Sequence, residues 1–69
     1  MQPAILRLFW NTVQHLNPQQ VLPMDDERLK LWLLDRMREV SGLDRNQCIA
    51  LHRYIQDRLP LIRQVVAGS

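Results

Sequence analysis

The sequence predicts an all-α fold, a small bundle of three main helices whose C-terminal member is kinked or broken at Pro60. Three observations carry that expectation. Apolar residues recur at the three- and four-residue spacing of a helical face in three separate stretches. Two of those stretches open on an aspartate suited to a helix N-cap, Asp25 and Asp44. No run alternates apolar with polar residues in the two-residue period of a half-buried strand.

The first helix is expected over residues 4–16, where Ile5, Leu6, Phe9, Trp10, Val13 and Leu16 share a face and Arg7, Asn11, Gln14 and His15 turn to solvent. Pro3 is tolerated at its start because the missing N–H would be unpaired there in any case. Asn17-Pro18 ends it, since the residue before a proline is pushed out of the α region. Asn17 can then cap a short helical turn over residues 18–22, with Val21 and Leu22 inward and Pro23 as its stop.

The helix expected over residues 25–41 is the stretch around which the rest should be organised. Asp25 caps it, Asp26 and Glu27 meet the positive end of its dipole, and Met24 packs on Leu29 as a hydrophobic staple. Leu29, Trp32, Leu33, Arg36, Met37 and Val40 form one face, while Leu31 and Leu34 widen the apolar surface beyond a single stripe. Such a helix calls for neighbours on two sides, the first helix on one and the C-terminal helix on the other. Gly42 follows Ser41 where a left-handed residue closes a helix, because glycine lacks the Cβ that opposes positive φ.

The last helix is expected over residues 45–66. Asp44 and Gln47 have the spacing of a capping box, with Leu43 stapled toward Cys48. Cys48, Leu51, His52, Ile55, Leu59, Ile62 and Val66 continue one face past Pro60, whose ring crowds the preceding turn, so a kink or a break near Arg58 and a fourth short piece, LIRQVVA, are expected. Gly68 and Ser69 should fray. The core expected from these faces is Leu6, Phe9, Val13, Leu29, Trp32, Leu33, Met37, Val40, Cys48, Leu51, Ile55, Leu59 and Ile62.

At 69 residues and 8.2 kDa the chain has room for one domain, and a hydrophobic content of 46% is that of a chain able to fold. So short a chain buries a modest share of its surface, which leaves a protein partner or a homodimer open. A single cysteine, Cys48, excludes an internal disulfide, and the start MQPAILRLFW lacks the charged opening and cleavage site of a signal peptide. The longest apolar runs are far below the roughly 20 residues of a membrane span. A reducing, cytoplasmic setting is the expectation.

The net charge of +2 comes from nine Lys and Arg against seven Asp and Glu, a mixed surface whose small basic excess lies toward the C-terminus. Nucleic acid is permitted by that balance, not implied. Two helices joined by Val40-Ser41-Gly42-Leu43 have the outline of a helix-turn-helix, in which Arg45, Asn46, Gln47 and Arg53 would face base edges. Against it, Arg38 is long and charged where close helix approach favours a small residue, and Asp44 would face phosphate.

Cys48 and His52 stand four apart on one helix face, yet zinc needs three or four ligands and only His15 is left to supply one. No metal or cofactor is expected. With two glycines there is no phosphate-cradling loop, and no nucleophile motif is present. Local pairing accounts for the carboxylates: Asp25 and Asp44 as caps, Asp26 with Lys30, Asp57 with Arg53. An enzyme is therefore not expected. The first helix is amphipathic, but its polar face lacks the Lys and Arg of a membrane-surface helix.

What remains is a non-enzymatic protein-protein interaction module, an adaptor or small regulatory subunit, with a small helix-turn-helix-like DNA-binding regulator as the alternative. The residues expected to meet a partner are Trp10, Leu31, Leu34, Arg53, Tyr54 and Arg58, large apolar or aromatic groups with arginines among them.

Overall fold

The computed structural model describes residues 2–68 and contains four helices. These are α1 (Pro3–Gln14), α2 (Pro18–Val21), α3 (Asp26–Ser41) and α4 (Arg45–Gly68). No strand occurs among the described residues. Each boundary has a local cause. Pro3 opens α1, and the Asn17 side chain accepts from the Gln19 N–H at 3.0 Å to cap α2. The Asp25 carboxylate accepts from the Arg28 N–H at 2.8 Å at the head of α3. Gly42, at φ 60 and ψ 49, closes α3 in the left-handed conformation. The capping box before α4 is complete: Gln47 N–H donates to Asp44 Oδ1 at 2.7 Å, and Asp44 N–H donates to Gln47 Oε1 at 3.0 Å.

The hub of the packing is α4 rather than α3. It lies against both α3 and α1, whereas α1 and α3 approach each other only slightly. Arg63, late in α4, bonds to Asp26 at the start of α3, so these two helices run antiparallel across the Gly42 turn. Phe9, Leu33, Met37, Leu51, Ile55 and Ile62 are wholly excluded from solvent, and Ile5, Val13, Val21, Leu29, Leu59 and Val66 complete the core. The molecule exposes 4705 Å², close to the roughly 4,500 Å² of a folded monomer of this mass. It needs no partner to reach ordinary compactness.

Four expected core positions are corrected. Ile5 is buried where Leu6 was expected, because α1 presents Ile5, Phe9 and Val13 at i, i+4 spacing and Leu6 turns to the flank. Trp32 and Cys48 are half-buried at the edges of their faces. Val40 is 52% exposed, since it lies in the last turn of α3, where α1 does not close over it.

Pro60 does not break α4, and LIRQVVA is its continuous end rather than a separate piece. Pro60 is exposed while Leu59 and Ile62 are buried, so the carbonyl of Gln56 that loses its N–H partner faces water and can be solvated. Gly68 closes the helix; Ser69, also expected to fray, lies outside the described residues.

Two contacts that only the fold creates tie the elements together. The Arg63 guanidinium donates to the Leu22 carbonyl (3.3 Å), the Met24 carbonyl (2.8 Å) and Asp26 Oδ1 (2.8 and 3.2 Å), pinning the α2–α3 connection to α4. Asp26 is thus paired with Arg63 and not with Lys30, which pairs with Glu27 at 3.0 Å. Across the α1–α4 contact, Trp10 Nε1–H donates to the Tyr54 hydroxyl at 2.9 Å, and Phe9, Trp10 and Tyr54 meet edge to face. No helix among the described residues is long and apolar enough to cross a membrane.

Candidate functional site

Because α1 packs on α4 and not over α3, one side of the α3–α4 pair is left open. A groove of about 460 Å³ runs there, with Leu34 on the α3 wall and Cys48, Ile49, His52, Arg53 and Gln56 on the α4 wall. Leu34 also lines a second depression with Arg28, Leu31, Trp32, Asp35 and Arg38, so the two hollows share a wall. Leu31 and Ile49 are each 54% exposed, the most exposed large apolar side chains among the described residues. Two helices therefore present Leu31, Leu34 and Ile49 as one apolar stripe along their seam.

The placement follows from local sequence. The core takes Leu29, Leu33 and Met37 from α3 at i, i+4 spacing, which turns Leu31 and Leu34 onto other faces of the helix. On α4 the core takes Leu51 and Ile55, leaving Ile49 outside and Cys48 and His52 at the margin. The rim is cationic. The side chains of Arg28, Arg38 and Arg53 make no hydrogen bond or ion pair among the described residues, and Asp35 is the carboxylate beside them.

Chemically the groove offers apolar surface and fixed positive charge. No polar or charged side chain is buried among the described residues, so no preorganised polar group is aimed into it. Cys48 Sγ lies 4.0 Å from the Leu43 carbonyl, a weak local contact. No group of three or more His, Cys, Asp or Glu with the geometry to hold a metal ion occurs among the described residues.

The residues expected to meet a partner divide into two sets. Leu31, Leu34 and Arg53 come together at the open groove. Trp10, Tyr54 and Arg58 lie elsewhere, at the α1–α4 contact. There Trp10 and Tyr54, expected to meet a partner, are half-buried against the core and bonded to each other, and the Arg58 guanidinium sits 5.2 Å from the Tyr54 ring centre. Ile49, His52, Arg28 and Arg38 were not foreseen as lining residues. Ile49 carried the same signal as Leu31, a large apolar side chain off the buried face, whereas the arginines became recognisable only once their lack of partners was seen.

The helix-turn-helix outline places Arg45 and Asn46 exposed at the head of α4, with Arg53 two turns on. The amide oxygen of Gln47 is engaged in the capping box and its side chain is half-buried, which takes it out of the set of free base-reading groups. No protein-family model, curated protein or solved structure matches the chain.

Proposed function

We propose that this chain is a non-enzymatic protein-protein interaction module, a small adaptor or regulatory subunit of a reducing, cytoplasmic compartment, and that it engages its partner through the α3–α4 groove. The observation that carries this reading is the apolar stripe of Leu31, Leu34 and Ile49, with Leu31 and Ile49 solvent-exposed and Leu34 half-buried, flanked by three arginines without partners among the described residues. A monomer that already reaches ordinary compactness has no folding reason to keep such a stripe on its surface. Apolar centres with arginines at their edges are the composition of binding hot spots. Trp10, Tyr54 and Arg58 then support the fold from the opposite side.

The test compares affinity captures from the native cell by the wild-type chain, the Leu31→Glu/Ile49→Glu variant and a Gln14→Glu control, each first checked for native helix content. A protein held by the wild type and the control but lost by the double variant supports the reading. A wild-type chain that sediments as a monomer and holds nothing refutes it, as does a partner indifferent to the double variant.

The DNA-binding alternative draws on the exposed Arg45, Asn46 and Arg53 of α4. Phosphate contact makes its signature a steep salt dependence, so absence of duplex binding at low ionic strength eliminates it.

A further inference from the structure

We infer that the occupant of the α3–α4 groove is an amphipathic helix of a different protein, bearing carboxylates on both flanks of its apolar stripe. This rests on the groove reading above and specifies the partner's chemistry. The walls are two antiparallel helices, and no strand edge exists among the described residues for an extended peptide to join, so strand addition is ruled out and the apolar seam between two helices suits a helix laid along it. The 16 residues of α3 span about 24 Å, a length that some four turns of a partner helix would follow.

Charge chooses the partner. Among the residues that line the two hollows, Arg28, Arg38 and Arg53 stand against Asp35 alone, and none of the three guanidinium groups has a partner among the described residues. A second copy joined through the same face about a two-fold axis would bring together two faces of the same net positive charge, an isologous contact whose electrostatics oppose it. A partner helix with glutamate or aspartate beside its leucines meets all three.

The test uses two synthetic peptides of about 18 residues with capped ends and one leucine pattern at helical spacing, flanked by glutamate in the first and lysine in the second. Each is titrated into the isotopically labelled full chain while amide resonances are followed. The glutamate peptide should shift the amides of Leu34, Ile49 and Arg53 and bind about tenfold more tightly at low salt, as expected for three exposed charge pairs. That advantage should shrink toward parity at about 1 M salt. The R28E/R38E/R53E variant should reverse the preference, and the R28Q/R38Q/R53Q variant should abolish it. Equal binding of both peptides in the groove overturns the acidic partner but leaves the groove as an interaction surface. If neither peptide shifts groove amides, or shifts fall elsewhere, the inference fails together with the groove reading.

Discussion

Arg63→Ala should be among the most damaging single changes outside the apolar core. The guanidinium makes two bonds to Asp26 Oδ1 and one each to the carbonyls of Leu22 and Met24, residues 37 to 41 positions away in sequence. The Asp26 side chain is 71% exposed, so the ion pair itself is screened and contributes about 0.2–1 kcal/mol. The two carbonyl bonds, the one to Met24 part-buried and the one to Leu22 exposed, add about 1 kcal/mol each. The sum is roughly 2–3 kcal/mol against a total of about 3–10 kcal/mol for a chain of this size. That is a fall in Tm of roughly 10–20 °C. Urea and thermal unfolding followed by circular dichroism will measure it. Arg63→Lys, which keeps the charge and loses the fork, should recover less than half, and Asp26→Asn should cost no more than about 1 kcal/mol. The reasoning is refuted if Arg63→Ala lies within about 0.5 kcal/mol of wild type, or if Asp26→Asn costs as much.

Pro60→Ala should stabilise the chain by about 1–3 kcal/mol, because it restores an N–H to the Gln56 carbonyl within a helix that is already continuous; denaturant midpoints will show the sign. Gly42→Ala should cost about 1 kcal/mol through backbone strain alone, since an added Cβ meets nothing within 4 Å while φ stays at +60°, and Gly42→Asn should cost less. In a double-mutant cycle, Trp10→Phe and Tyr54→Phe should couple by about 0.5–1.5 kcal/mol through the hydrogen bond they share. Additive effects would show that the bond contributes nothing.

What was legible in the sequence was what neighbouring residues decide among themselves. The Asp25 and Asp44 caps, the Gly42 closure and the Asn17 turn all appear where side chain and backbone within three positions dictate them. A kink or a break at Pro60 was expected on equally local grounds; the helix runs through without a break, because that outcome depends on which way Gln56 and Pro60 face, and that is set by packing. The Arg63 clamp and the Trp10–Tyr54 bond join residues 37 or more positions apart and have no local signal. Half of the groove was readable: Leu31 and Leu34 stood off the buried stripe of their helix. The other wall followed from which helix is the hub, since α1 packing on α4 leaves the far side of α3 uncovered.

The groove as interaction surface is most directly tested by photo-crosslinking in the native cell from benzoylphenylalanine placed at Ile49, with the same probe at Leu61 for comparison. Both positions are exposed and apolar, at 54% and 45%, on one helix, and only Ile49 lines the groove. Adducts of one defined mass from position 49 and none from position 61 are the expected result. Adducts from position 61 alone, or equal labelling from both, would contradict it.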